Sequence, residues 1–115
     1  MIASKAYQDR LTGILGQLDL DLGSNIELEV RPFFGGAAGY ANGRICLSLT
    51  KVGFAVKLPL ADREELLNLG AQPLRYFPTA PVKKEYVILP DVGVEDLNEM
   101  QKWVNACIHF AVDKN

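Results

Sequence analysis

The dipeptide Asn42-Gly43 constrains the fold of this chain more than any other feature. It lies between two apolar segments, and both residues tolerate the positive φ of a type I′ turn, so it predicts a β-hairpin. Upstream, Gly35-Gly36 and Gly39 predict a loop in which the backbone passes close to another group. A positive φ at Gly36 would make a branched side chain there destabilising.

Alternation of apolar and polar residues predicts strands on both sides of this turn. Residues 26–31 alternate as in a half-buried strand, and Pro32 limits pairing on one side because proline has no N–H. Residues 45–50 alternate in the same way, and a tight turn at 51–53 leads into a strand at 54–58. The whole segment therefore predicts a meander of four consecutive antiparallel strands.

Three helices are predicted outside the meander. Apolar residues recur at spacings of three and four over residues 4–19 and from about residue 95 to residue 112, as on one face of a helix. Between these two segments, Asp62 and Glu65 form the Asp-x-x-Glu pattern of a capping box, which predicts a short helix.

Two further strands complete the prediction. One is expected at 73–78, bounded by prolines as at a sheet edge, and the other at 85–89. In the resulting order, α-ββββ-α-ββ-α, strands cluster instead of alternating with helices. We therefore predict an α+β fold, an antiparallel β-sheet of about six strands with helices packed on one face. Residues 1–115 fit a single domain.

The composition narrows the function classes. Twelve Lys and Arg face 14 Asp and Glu, a net charge of −2, so we expect no direct nucleic-acid binding. The chain has no run of apolar residues that approaches a membrane span and no signal peptide at its start, so we expect a cytoplasmic protein without a membrane partner. Cys46 and Cys107 lack metal spacing and are expected to be reduced, buried thiols, with a disulfide as the open alternative.

The sequence offers no catalytic pattern. Glycine-rich phosphate cradles lead into a helix N-terminus, whereas a strand follows the glycines here, which favours a structural loop. The single histidine, His109, has no neighbouring nucleophile in the sequence, and neither Ser48 nor Cys46 forms a triad signature with it. We therefore predict that the protein is not an enzyme and holds no cofactor or metal.

Two surface clusters are candidates for binding. One is basic and aromatic and could stack single-stranded nucleic acid, although a solvated edge hairpin is favoured because its charges are few. It consists of Arg75, Tyr76, Phe77, Lys83 and Lys84. The other comprises Arg31, Arg44 and Tyr40, which could share one face and dock a partner's carboxylates. It stays open whether Arg31 instead pairs with Glu27 or Glu29 on the solvent-exposed face of its strand.

The last helix offers a third candidate. Trp103 and Phe110 lie two turns apart on it, and if both faced solvent they would mark an interface. A homodimer is one form such an interface could take.

An ordered set of residues resembles the TfoX N-terminal domain family over nearly the whole chain, from about Ile14 to Ala111. The set is Arg31-x-x-Phe34-Gly35-Gly36, Tyr40-x-Asn42-Gly43-Arg44, Val56-Lys57, Gly70-Ala-Gln-Pro73, Tyr76, Tyr86, Leu89-Pro90 and Trp103. The family is named for the bacterial competence regulator Sxy/TfoX, and this chain resembles only that regulator's N-terminal half. The resemblance implies a small α+β unit without a known active site, here as a domain on its own.

These observations predict a non-catalytic regulatory or interaction module. The resemblance links it to competence or transcription regulation through contacts with a protein partner that the sequence does not identify. The predicted docking surface consists of Arg31, Phe33, Phe34, Gly35, Gly36, Tyr40 and Arg44. The alternative is a small-ligand-binding domain, or an unrecognised enzyme, with a pocket at the Phe33–Gly39 loop.

Overall fold

A computed structural model describes residues 2–90 and 96–113 of the chain. Its elements in chain order are α1 (Ile2–Gly16), β1 (Leu28–Phe33), β2 (Gly36–Ala41), β3 (Arg44–Thr50), β4 (Gly53–Lys57), α2 (Leu60–Asn68), β5 (Gln72–Pro73), β6 (Tyr86–Ile88) and α3 (Leu97–Asp113). Within these described ranges the six strands form one antiparallel sheet, ordered β1-β2-β3-β4-β6-β5. The predicted α+β fold and element order are confirmed.

The hairpin turn at Asn42-Gly43 forms as predicted. Its two residues have φ values of 51° and 80°, which the type I′ turn requires. The Asn42 side chain also accepts a hydrogen bond from the backbone N–H of Glu27 (2.8 Å) and donates one to the carbonyl of Asn25 (3.0 Å). This one side chain therefore fixes the segment that leads into β1 against the β2–β3 turn.

The predicted glycine loop is wrong in extent. Only Phe34 and Gly35 form the turn, and residues from Gly36 onward are the buried strand β2, between β1 and β3. The strand was hidden because its sequence, Gly-Ala-Ala-Gly-Tyr-Ala, lacks apolar-polar alternation. Its small side chains suit close packing: a Cβ on Gly39 would lie 2.8 Å from Leu47 Cδ1, and α1 packs directly on this strand.

One face of the sheet packs against helices. Helix α1 lies on β1 and β2, and α3 lies on β3 and β4. The core between them buries apolar side chains from both layers, among them Leu11, Leu15, Ala37, Leu47, Leu49, Phe54, Val56, Met100, Trp103 and Val104. The opposite face is covered as well, because Ala38, Ser48 and Ala55, which pair in one row across β2, β3 and β4, are all buried.

The start of α2 differs from the prediction. The helix begins at Leu60 with Pro59 as its N-cap residue, so Asp62 lies inside the first turn and does not cap it. Proline at this position fixes an extended-to-helical transition three residues earlier than the capping-box pattern implied. Glu65 instead forms an exposed ion pair with Lys102 of α3 (3.4 Å).

The strand predicted at 73–78 is also wrong, although its place at the sheet edge is confirmed. Strand β5 is only two residues long. The chain then continues as a loop, residues 74–83, in which several polar groups bond to one another. Lys83 N–H donates to Leu74 O (3.0 Å), Arg75 Nη1 to Ala80 O (2.7 Å), and Ala80 N–H to Phe77 O (2.9 Å).

Trp103 does not face solvent. Its side chain is 1% exposed within the core, and its Nε1–H donates to the Glu99 carboxylate (3.1 Å). The condition for an interface of Trp103 with Phe110, that both side chains face solvent, is therefore not met, because the wide apolar face of α3 includes the indole. Phe110 is half-buried. Glu95, the predicted first residue of this helix, lies outside the described residues.

The two cysteines are free, buried thiols. Cys46 is the extra residue of a bulge in β3, and its Sγ–H donates to Gly39 O (3.4 Å). Cys107 donates from Sγ to Val104 O (3.1 Å), and burial together with the neighbouring Cys46 raises the pKa of its thiol. Both thiols are consequently poor nucleophiles in the native state.

We expect neither thiol of the native protein to react with an aromatic disulfide reagent such as DTNB. The denatured protein should react at both thiols and release two equivalents of the reagent's thiolate. The reason is that the thiolate is the reacting species and both sulfur atoms are inaccessible in the fold. A Cys46→Ala variant, measured in the same way, calibrates the denatured-state yield. Rapid reaction of the native protein at either cysteine would contradict the burial described here.

Candidate docking surface at the β1–β2 turn

Two of the sequence candidates meet at one cleft. The cleft has a volume of about 480 Å³ and lies between the β1–β2 turn, the β3–β4 turn and the 74–83 loop. It is lined by Phe34, Thr50, Lys51, Tyr76, Phe77, Ala80, Pro81 and Lys83. Part of the predicted docking surface and part of the basic-aromatic cluster therefore form a single site.

Phe34 and Tyr76 form an aromatic wall of the cleft, and Phe33 supports both rings from behind. The ring centroids of Phe33 and Phe34 are 4.5 Å apart, and Tyr76 meets them edge-on at 5.6 Å and 5.3 Å. Phe34 is nevertheless 75% exposed, and Phe77 on the 74–83 loop is 57% exposed. Aromatic side chains of this kind are the residues that most often dominate protein interfaces.

Phe34 occupies an unfavourable backbone conformation. Its φ is 47°, in the left-handed region that bulky residues rarely adopt, and it precedes Gly35 with φ 77°. Asn, Asp or Gly would fit this turn position with less strain. The chain thus holds a large apolar ring in solvent at a position where a small polar residue would be more stable.

Tyr76 extends from the 74–83 loop over the outer face of the sheet. Its phenol lies close enough to Ser48 to affect its titration, but the Ser48 hydroxyl is buried and, among the residues described, has no partner at hydrogen-bond geometry. Burial raises the pKa of Tyr76, and it raises that of Tyr86, a neighbour on β6, further. In both phenols, burial therefore favours the neutral form over the phenolate.

We expect the protein to lose stability at alkaline pH. Because the folded-state pKa of Tyr86 lies above its unfolded value of about 10, the neutral phenol stabilises the fold below that pH, and this contribution is lost as the pH rises further. Urea unfolding at about pH 8 and about pH 11 measures the change. The decline should be smaller in a Tyr86→Phe variant; equal declines in both proteins would contradict the assignment to Tyr86.

The structure shows the Glu29 ion pair that was one of the two alternatives for Arg31, and docking of a partner's carboxylates stays a prediction. Arg31 forms an ion pair with Glu29 (2.8 Å) and lies over the Tyr40 ring (4.7 Å from Cζ to the centroid). The hydrogen bond from Arg31 lowers the pKa of the Glu29 carboxyl, but the pair is exposed and contributes little to stability. Its charge is thus partly neutralised within the chain.

The predicted docking residues do not form one patch. Gly36 is buried and pairs with Phe33 at one end of the β1–β2 hairpin, whereas Arg44 pairs with Ala41 at the other end of β2. Five residue steps along a strand separate the two ends by roughly 17 Å. Arg44 is therefore separate from the aromatic cleft.

Sequence reasoning missed part of the cleft. The sequence places Thr50 at a strand end and Lys51 in the following turn, and it places Ala80 and Pro81 between two predicted strands. Nothing in it indicates that these two segments meet at one cleft. Strand β6 joins the sheet beside β4, and the 74–83 loop that precedes β6 crosses the outer face of the sheet, so that Ala80 and Pro81 reach the β3–β4 turn. No local pattern encodes this arrangement.

Within residues 2–90 and 96–113, no group of three or more His, Cys, Asp and Glu side chains could hold a metal ion. His109 Nε2 lies 2.8 Å from Asp21 O, so it helps to fasten the segment after α1 to α3. The described helices also include none that is long and apolar enough to cross a membrane.

Comparison with protein families identifies the domain. The family model described as the TfoX N-terminal domain matches residues 22–111. The chain belongs to the TfoX N-terminal domain family. Membership supports a regulatory type of domain, and every residue that lines the cleft falls within the matched range. No curated protein and no solved structure matches the chain.

Proposed function

We propose that this TfoX N-terminal domain is a non-catalytic regulatory module that binds a segment of a protein partner in the aromatic cleft. The observation that carries the proposal is Phe34, which is 75% exposed in a left-handed backbone conformation at the edge of the cleft. A strained and exposed aromatic residue costs stability, and such residues concentrate at functional sites. We propose that the regulation concerns transcription or competence, as the resemblance of the sequence implies.

The wall and the loop of the cleft are ordered before any partner arrives. Phe33 and Tyr76 support the Phe34 ring, and hydrogen bonds within the 74–83 loop hold its backbone. A surface that is already ordered loses less conformational entropy on binding.

Replacing Phe34 with asparagine is expected to separate binding from stability. Relief of left-handed strain, about 1 kcal/mol, should offset the lost ring contacts, about 0.5–1.5 kcal/mol, so the free energy of unfolding changes by less than about 1 kcal/mol. Affinity for the partner should fall about tenfold or more, as at an interface hot spot. Urea unfolding and isothermal titration calorimetry measure the two effects.

The partner for this measurement would be a protein retained from the native cell by wild-type domain and then purified. Leu60→Ser is the matched control, because Leu60 is also a large exposed apolar residue (61%) but does not line the cleft. A partner that binds wild type and Phe34→Asn with equal affinity would place the docking surface elsewhere.

A second copy of the chain is one candidate partner. Sedimentation velocity at micromolar concentration would detect it, and a dimer that Phe34→Asn dissociates would use the cleft. A dimer that withstands this change would use another surface.

A small-molecule ligand is a second candidate function, favoured by the volume of the cleft. About 480 Å³ falls within the range of roughly 300–1,000 Å³ that is usual for small-molecule sites. A thermal-shift screen of metabolite classes tests it. Stabilisation of wild type but not of a Phe77→Ser variant would support a ligand here, and no stabilisation by any class would count against it.

A further inference from the structure

The lysines near the cleft differ from other lysines of the chain. Lys5, Lys57 and Lys102 each have a carboxylate within 4 Å. Lys51, Lys83 and Lys84 have no such partner among residues 2–90 and 96–113, and all three side chains are exposed. Lys51 and Lys83 line the cleft from two different segments, the β3–β4 turn and the 74–83 loop.

This arrangement concentrates uncompensated positive charge beside apolar rings. The lining contains two lysines and no carboxylate, although the chain as a whole carries a net charge of −2. The nearby Arg75 is occupied by its hydrogen bond to Ala80 O, so it braces the loop. A charge pattern opposite to that of the whole protein indicates a site that selects its partner by electrostatic complementarity.

We infer that the cleft takes a segment of a partner protein in which a carboxylate adjoins a large apolar side chain; this inference rests on the proposed function. The apolar side chain packs between Phe34 and Phe77, and the carboxylate lies between Lys51 and Lys83. The three exposed lysines, Lys51, Lys83 and Lys84, are too few for the many phosphate contacts of nucleic-acid binding. They suit one or two acidic side chains flanking an apolar anchor.

The test begins with random peptides of about twelve residues displayed on phage and selected on the immobilised wild-type domain. We expect the enriched peptides to combine Asp or Glu with a neighbouring aromatic or aliphatic residue. Synthetic copies of them, labelled with fluorescein, are then measured by anisotropy against a set of variants at low and at high salt. Affinity should weaken as salt increases, because the pairs are near the surface.

Charge reversal supplies the decisive comparison. The double variant Lys51→Glu/Lys83→Glu should bind about tenfold or more weakly, a loss of about 1.4 kcal/mol, with an unchanged melting temperature. Lys5→Glu, at an exposed lysine outside the cleft, should leave the affinity within about twofold of wild type. Peptides bearing Lys in place of Asp or Glu should regain affinity for the double variant.

The outcomes separate the inference from the proposed function. Suppose that the enriched peptides lack acidic residues, that charge reversal leaves their affinity unchanged, and that Phe34→Asn abolishes their binding. This result would overturn the charge preference and leave protein binding at the cleft intact. Failure to enrich any peptide would overturn both. If a fluorescein-labelled oligothymidylate binds and charge reversal abolishes its binding, the occupant of the cleft is single-stranded nucleic acid and not a protein segment. If only free carboxylate metabolites bind, the occupant is a small molecule.

Discussion

Replacing Gly36 with valine is expected to lower the free energy of unfolding by about 3 kcal/mol, the upper part of the usual range for overpacking. A Cβ atom at this position would lie 2.4 Å from Leu49 O and 2.9 Å from Thr50 Cγ2, well inside van der Waals contact. The first of these atoms belongs to the backbone of the neighbouring strand, so it cannot move aside as a side chain could. The two γ-methyl groups of valine add further volume to the same space.

The physical reason differs from the one that the sequence suggested. Gly36 is not among the residues with positive φ, so the constraint there is close approach and not backbone conformation. The carbonyl of Gly36 also accepts a hydrogen bond from Ser4 Oγ (2.9 Å), which ties α1 to the start of β2. A displaced β2 would strain this contact as well as its pairing with β3.

Urea unfolding followed by far-UV circular dichroism measures the effect. Gly13→Ala is the matched control, since Gly13 lies in α1 with nothing within 4 Å of a Cβ, and alanine there should stabilise the protein by about 0.5–1 kcal/mol. Gly36→Ala should fall between the two. If Gly36→Val unfolded with the same midpoint and slope as wild type, the close packing of β2 against β3 would be contradicted.

The sequence was most informative where chain-local chemistry decides the structure. Asn42-Gly43 identified its turn because positive φ at two successive residues selects few residue types. The extent of strand β2 went unrecognised, although a four-strand meander was predicted, because alanine and glycine give no hydrophobic alternation. These small residues are what its packing beneath α1 requires. The same absence of alternation made its glycines resemble a ligand-binding loop.

The candidate site was predictable only in parts. Phe33 and Phe34 beside the glycines, and Tyr76 and Phe77 among basic residues, were both singled out from the sequence. Their meeting depends on the long-range pairing of β4 with β6, in which Val56 faces Val87. Such pairing is determined by the whole core, so no window of residues could show that two modest clusters are one cleft.

The sequence left open whether Trp103 faces solvent, as its predicted interface would require. The periodicity of α3 correctly predicts a wide apolar face, but it does not say which edge of that face meets the sheet. In the structure the indole is 1% exposed, and Lys102 Nζ lies 4.5 Å from its ring centroid on the solvent side. The residue is therefore part of the core between α3 and the sheet.

Trp103→Ala is accordingly expected to lower the free energy of unfolding by about 3–5 kcal/mol, as for other buried aromatic residues. Because a domain of this size is typically stable by only about 5–15 kcal/mol, the variant should be marginally folded at 37 °C. Leu97→Ala, at a half-exposed leucine of the same helix, is the matched control and should cost less than about 1 kcal/mol.

Fluorescence provides a second measurement, since Trp103 is the chain's single tryptophan. Its emission should be blue-shifted in native protein and should move to longer wavelength on unfolding, which reports on the core around α3 directly. Two results would contradict the burial of Trp103. One is an emission maximum typical of exposed indole in the native state, and the other is a Trp103→Ala variant that loses self-association while keeping its stability. If Trp103→Ala loses stability but its folded molecules keep their affinity for the partner protein, Trp103 is a core residue and the cleft at Phe34 is the site of recognition.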